Sequence, residues 1–411
     1  MDRALQDQLD RYGFSQVLVV HRQMAVLATR EPDYTSIESH FLPAPIAPGA
    51  LSAVTLPHGA AASAVTHYPR LGVSLGFADQ DGVQALESHP EIESIYAGQA
   101  VGIVRPVRTV AATLRHKLTW GLRALQIDKL WAQGLSGIGV RVGHLDTGVD
   151  AEHPALKGRV AGFAEWDLLG QRVESAAPHD SNDHGTHTAG IIAGGPVGRR
   201  AIGVAPECEF YSGLVIEGGY ALGRVLGGME WMIESGVRVL SMSLGWRGYD
   251  PSFLAIIRRL RAQGVLPIFA IGNEGPGTSR SPANYPETLS VGAIDRSRRV
   301  APFSCSVRFN RDRDPVQPDV VAPGVGIVSA KPGGGYQAMD GTSMATPHVA
   351  GVAALLWQAG PDATVDQIEL ALRQTCVKLE GEDPLRYGDG LIDPPAALAA
   401  LTGNEVLSFK F

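Results

Sequence analysis

From about residue 140 onward the sequence predicts an α/β domain whose mostly parallel, doubly wound sheet is covered by helices. Two observations predict it: short β-branched apolar runs alternate with longer stretches of helical periodicity, and the helical stretches close on Gly near their C-termini. The strands are expected in "VRVGHLD" (140–146), "EFYSGLVI" (209–216), "VRVLSMSL" (237–244), "VLPIFAIG" (265–272) and "LSVGAI" (289–294). Between them, "YALGRVLGGMEWMIESG" and "PSFLAIIRRLRAQG" predict helices. An apolar helix begins near Thr342 and runs through "VAGVAALLWQAG", and "TVDQIELALRQTC" follows it with apolar residues at helical spacing.

The first hundred residues differ. "QVLVVH" is strand-like, a Pro- and Ala-rich stretch ("FLPAPIAPGALSAV") follows, and residues 71–104 give strand, helix, strand. That pattern predicts a small α+β unit over 1–104. The basic segment 105–118, which includes "RPVRTVAATLRHK", has little periodicity and predicts an exposed linker, the kind of segment where proteolysis concentrates. The α/β domain then occupies 119–411.

Composition narrows the function. Hydrophobic residues make up 45% of the 411 and charged residues only 19%, which suits a compact enzyme better than a disordered chain. A net charge of -7, from 35 basic and 42 acidic residues, offers nucleic acid no basic patch and a membrane no polybasic anchor. Cys208, Cys305 and Cys376 are widely spaced and odd in number, so free thiols are expected rather than a disulfide framework or a zinc knuckle. The polar start "MDRALQDQLDRYGFSQ" lacks a secretory pattern, and no apolar run reaches the roughly 18 residues that span a bilayer. As written, the chain is expected in the cytoplasm, with export by a non-standard route or a missing signal as the alternative.

Three polar segments fall where sheet strands end, the position at which open α/β sheets place their sites. They are "GHLDTGVD" with Asp146, "DHGTHTAG" with His184, and "DGTSMATPHVAG" with Ser343. Taken singly, the Asp is a turn former, the His a cap or core residue, and the Ser an N-cap. Taken together, they supply what acyl transfer needs: a nucleophile, a base to take its proton, and a carboxylate to hold that base.

With their flanks, "DTGVD", "HGTHTAG" and "GTSMATPHVAG" in the order Asp, His, Ser resemble the subtilisin-like serine proteases. The likeness continues through "IGVAP", "GGMEW", "SMSLG", "AIGNEG", "ANYPETLSVGAI" and "QPDVVAPG", covering about residues 120–400. It implies a three-layer subtilisin-like fold and a serine endopeptidase working through an acyl-enzyme, with no cofactor needed for the chemistry. Asp146 then orients the base, His184 is the general base and acid, Ser343 the nucleophile, and Asn273 an oxyanion donor beside the Ser343 backbone N–H.

An extended peptide or protein substrate is implied between two edges, Ser243, Leu244, Gly245 and Trp246 on one and Gly218 and Gly219 on the other, with Ala270 and Gly272 at the strand end before Asn273. Trp246 stands where the family often has Gly; it either reshapes the specificity pocket or is a core aromatic. His144 and His187 are expected to be packed and His348 to be structural. The group His179, Asp180, Asp183 and His184 offers a weaker reading as a metal cluster. The loop "GGPVGRRAIG" carries two Arg where relatives offer oxygens to calcium, so that calcium site is expected to be absent.

The unit over 1–104 resembles the inhibitory pro-domain of this family, whose tail lies in the active-site cleft until it is cut. The cut is expected between about Arg105 and Lys117; a permanent accessory domain is the alternative. Two other readings of the whole remain, a dedicated peptide-maturation protease of narrow specificity and, from another class, an inactive peptide-binding module. Cyclisation is disfavoured because 38 positions (184 minus 146) leave little room for a lid.

Overall fold

The computed structural model describes residues 3–22, 34–42, 65–167, 170–217 and 221–403. The chain divides into two units, Met1–Ala100 and Val101–Phe411, each with its own interior.

The first unit runs α1 (Arg3–Tyr12), β1 (Phe14–His21), β2 (Val65–Tyr68), β3 (Val73–Asp79), α2 (Gln80–Ser88) and β4 (Ile92–Ala97). Its four strands form an antiparallel sheet in the order β2-β3-β1-β4. β1 lies inside that sheet, which is why Val17 to Val20 form an unbroken apolar run and are all buried. Leu5 and Leu9 of α1 and Val83 and Leu86 of α2 pack with Val17 and Val19 into one core. Asp79 caps α2 by accepting from the Gly82 N–H at 2.8 Å. This unit is α+β and ends at Ala100 rather than at the expected 104, because 101–104 belong to the second unit; the Pro- and Ala-rich stretch from residue 43 lies outside the described residues.

The second unit opens with two short strands, β5 (Gly102–Ile103), at the end of the stretch assigned to the first unit, and β6 (Arg108–Ala112), in the stretch expected to be an exposed linker. Then come β7 (Arg141–Asp146), β8 (Val160–Glu165), α3 (Asp183–Ala193), β9 (Glu209–Leu214), α4 (Ala221–Glu234), β10 (Val239–Met242) and β11 (Leu244–Arg247). The chain continues through α5 (Leu254–Ala262), β12 (Leu266–Ala270), β13 (Arg280–Ser281), β14 (Leu289–Ile294), β15 (Val307–Arg308), β16 (Val316–Gln317) and β17 (Val320–Pro323). It closes with β18 (Ile327–Ala330), β19 (Tyr336–Asp340), α6 (Thr342–Ala359) and α7 (Val365–Gln374), followed by a last helix over Pro394–Thr402.

Seven strands form one parallel sheet in the order β17-β14-β12-β10-β7-β9-β8. Both faces are covered, and β7 shows how. Successive side chains of a strand point to opposite faces, so Leu145 lies beneath Gly228 of α4 and Gly143 beneath Met232, while His144 and Asp146 face Thr188 and His184 of α3. A Cβ on Gly228 would come within 2.8 Å of Leu145 Cδ2, so that glycine lets α4 sit close to the sheet. On the side of α3, α6 is buried from Thr342 to Trp357 and packs on β10, β12, β14 and β17.

β8 and β17 were not evident in the sequence. β8 is a partly exposed edge strand, and β17 is a four-residue run ending in Pro. The expected strand 237–244 divides at Ser243: β10 stays in the parallel sheet, whereas β11 leaves it to pair antiparallel with β13 and β5.

Candidate active site

Asp146 ends β7, and the turn after it brings its carboxylate against the first turn of α3. His184 Nδ1 donates to Asp146 Oδ1 at 2.7 Å, and the same oxygen accepts the Thr147 N–H at 2.8 Å. Both side chains are 1% exposed. Burial alone would raise the Asp146 carboxyl; His184 and His144 beside it more than offset that and hold it well below the usual carboxylate range. The carboxylate is therefore ionised at any working pH, and the bond to Nδ1 fixes the imidazole with Nε2 free to accept a proton.

His144 stands nearer the chemistry than a merely packed residue. Its Nε2 lies 2.8 Å from Thr188 Oγ1 and 3.6 Å from Asp146 Oδ2, on the side away from His184. The two-residue spacing in "HLD" puts it on the face of Asp146, and α3 brings Thr188 up to complete the contact. Asp180, counted among possible metal ligands, instead ties the Asp146 turn to α3: it accepts from Thr147 Oγ1 at 2.7 Å and from the Thr186 N–H at 2.6 Å. Among the described residues no group of His, Cys, Asp and Glu forms a metal site. His187 is packed as expected, its Nε2 bonded to Ile327 O at 3.0 Å, and burial lowers its pKa to about 3. His348 is likewise structural, with Nδ1 bonded to Met344 O at 2.8 Å.

Ser343 is the second residue of α6, where unpaired N–H groups and the helix dipole favour negative charge. Pro347, four residues on, has no N–H to give the Ser343 carbonyl, and Ser243 Oγ donates to that carbonyl at 3.4 Å instead. Asn273 follows β12. Its Oδ1 accepts from the Thr342 N–H and from Thr342 Oγ1, both at 2.9 Å. A backbone N–H only donates, so the amide oxygen must face Thr342 and Nδ2 must point into the cleft.

The end of the 1–104 stretch and the start of the expected linker fill that cleft. β5 pairs antiparallel with β11, Gly102 against Gly245 and Ile103 against Leu244, and the Val104 N–H donates to Ser243 O at 2.8 Å. Ser343 Oγ then donates to Val104 O at 2.7 Å, while Asn273 Nδ2 donates to the next carbonyl, Arg105 O, at 2.8 Å. Beyond Ser343 the Val107 N–H donates to Asp340 O at 2.8 Å, and β6 pairs antiparallel with β19 from Arg108 to Ala112. One extended strand thus crosses the nucleophile with edge pairing on both sides, the geometry of a bound peptide. The bond it presents is Val104–Arg105, one residue ahead of the range expected from the sequence. His184 Nε2 is buried without a hydrogen-bond partner, and Ser343 gives its proton to the strand.

Comparison with known proteins adds a family to this geometry. Residues 137–390 match the model of the subtilase family. The chain belongs to the subtilase family. It is 35% identical over 332 residues to alkaline elastase YaB of Bacillus sp. (strain YaB), covering 80% of this chain and 79% of that protein. Subtilisin E of Bacillus subtilis (strain 168) is 35% identical over 294 residues, 70% and 73% of the two chains. The subtilisin-like protease PopC of Myxococcus xanthus (strain DK1622) is 38% identical over 293 residues, 63% and 60%. This subtilase is accordingly a serine endopeptidase, and its substrates are peptides or proteins.

The remaining substrate-edge residues separate. Ser243, Leu244 and Gly245 carry the strand in the cleft, and Ala270 and Gly272 border Asn273. Trp246 is 8% exposed with its ring edge-on to Phe253, centroids 5.1 Å apart, which is the core-aromatic alternative. Gly218 and Gly219 lie outside the described residues. The loop Gly194–Gly203, where the sequence predicts no calcium site, packs on Arg159 and is closed by its own backbone hydrogen bonds. Arg159 Nη2 lies 2.7 Å from where a Cβ on Gly195 would stand, and the carbonyls of Val197 and Gly194 are taken by the N–H groups of Arg200 and Gly203.

Proposed function

We propose that this endopeptidase works through Asp146, His184 and Ser343 with Asn273 as oxyanion donor, and that it is made as a zymogen whose residues 1–104 are the inhibitory pro-region. The strand Gly102–Ala112 lying across Ser343 is the observation that carries the reading. In catalysis His184 takes the Ser343 proton as Oγ attacks a substrate carbonyl, Asn273 Nδ2 and the Ser343 N–H hold the oxyanion, and His184 returns the proton to the leaving amine. Water, activated by the same imidazole, then releases the acyl group.

The strand is held one carbonyl away from that geometry. Ser343 donates to Val104 O rather than to His184, and Asn273 holds Arg105 O rather than Val104 O. Attack on Val104 requires its carbonyl to move into the reach of Asn273, so the pose inhibits and is cut slowly. Incubated full chain should therefore yield a species beginning at Arg105 by mass spectrometry, with fluorophosphonate labelling of Ser343 rising as it accumulates. Full-rate labelling of an uncut chain would overturn the zymogen reading.

Asn273→Ala should lower kcat about 10²- to 10³-fold, the size known for the matching donor of subtilisin, with KM nearly unchanged because the donor acts on charge that develops in the transition state. Steady-state kinetics on a peptide anilide, using processed enzyme, checks this. An equal rise in KM at constant kcat would mean that Asn273 merely binds substrate.

A further inference from the structure

The strand in the cleft also identifies where the side chain on the acyl side of the scissile bond must go. Val104 has its N–H on Ser243 O and its carbonyl at Ser343 Oγ, and its side chain is 0% exposed. Its main chain lies on the edge Ser243–Gly245, beside the strand end Ala270–Gly272 that follows the neighbouring strand β12, which puts the pocket for that side chain between these two segments.

Arg280 bridges these two segments. Its guanidinium donates to Gly245 O at 3.4 Å on one side and to Glu274 on the other, with Nε 3.1 Å from Oε1 and 3.2 Å from Oε2, and Nη2 also bonds Oε1. Its Cγ lies 3.1 Å from where a Cβ on Gly272 would stand, with Cys305 Sγ 2.9 Å and Glu274 Oε2 2.8 Å from the same point. The pair is well shielded, at 12% and 17% side-chain exposure. Cys305 Sγ donates to Glu274 Oε2 at 3.3 Å, and Thr278 Oγ1 lies 3.0 Å from the sulfur. The backbone holding Arg280 is pinned too, since β13 pairs with Trp246 and Arg247 of β11.

We propose that Arg280, locked onto Glu274 and the Gly245 carbonyl, closes the far end of this pocket and restricts the residue on the acyl side of the cleaved bond to small aliphatic side chains of about the size of Val. An aromatic side chain would have to displace the guanidinium, breaking a bidentate, mostly buried ion pair and the bond to Gly245. A Lys or Arg side chain gains nothing, because Glu274 is already neutralised. The substrate class is thus peptides with Ala, Val or Thr before the scissile bond, and Val104 is the chain's own example.

The test measures kcat/KM on peptides differing only at that position (Ala, Val, Leu, Phe, Arg), with processed enzyme titrated by fluorophosphonate. Wild type should favour Val over Phe by about tenfold or more, and Arg280→Ala should shift the Phe-to-Val ratio at least about tenfold toward Phe. Arg280→Met, which keeps the bulk, should retain the preference for Val. Should Arg280→Ala fail to fold, Arg280→Ala/Glu274→Ala, which leaves no unpaired carboxylate, carries the same comparison. A wild type that takes Phe as readily as Val, or a ratio unmoved by removing Arg280, would overturn the proposal.

Discussion

Ser343→Ala protein is expected to take up no fluorophosphonate and to hydrolyse peptides on the order of 10⁶-fold more slowly than the parent, the size established for the catalytic unit of subtilisin. The reason is in the local structure. Ser343 stands at the start of α6, buried and with its hydroxyl 2.7 Å from a peptide carbonyl. The exposed helix N–H groups and Asn273 remain in the variant, so a residual rate above that of water should persist. The same variant should keep its Val104–Arg105 bond intact on incubation, because the slow cut uses the same nucleophile. Parent-like turnover in Ser343→Ala would remove the acyl-enzyme mechanism altogether.

Asp146→Ala is expected to cost on the order of 10⁴ in kcat, less than loss of the nucleophile, because Ser343 keeps its place while His184 loses its orientation and its counter-charge. Stability should report the same carboxylate. Its folded pKa is depressed below the ordinary Asp value by His184 and His144 against the opposing effect of burial, so its ionised form contributes stability above roughly pH 4, and that contribution fades as pH falls through the folded pKa. Parent and variant unfolding free energies, measured by denaturant titration, should differ most above that pH and converge below it. Divergence toward acid pH would mean that Asp146 is held protonated. His144, 3.6 Å from the second carboxylate oxygen, gives this site a neighbour that supports the charge.

Much of the site was legible from short motifs because each catalytic side chain is placed by its own few residues. Asp146 is placed by a strand ending in a turn, His184 by the capped start of α3, and Ser343 by a helix start crowded with small residues. The same holds for "LSVGAI", whose apolar run coincides with β14 end to end. What failed was whatever depended on a partner distant in sequence. β8 and β17 carry weak patterns because an edge position and a four-residue length relax the demand for continuous apolar residues. The segment 105–118 looked like a linker because polar, exposed side chains say nothing about backbone pairing, and that pairing is what seats β6 on β19.

The sequence by itself determined the α/β class, which rests on local periodicity, caps and turns, and its likeness to the subtilases pointed to the three segments proposed to be catalytic. Only the tertiary structure decided that Val104 O meets Ser343 and Arg105 O meets Asn273, that His144 and Thr188 support Asp146, that Trp246 packs on Phe253, and that Arg280 bridges Glu274 and the Gly245 carbonyl. Each of these is a contact or register between segments tens to hundreds of residues apart, as with the 239 positions between Val104 and Ser343. Such contacts exist only once the parallel sheet has brought the strand ends together, and neither spacing nor composition encodes them.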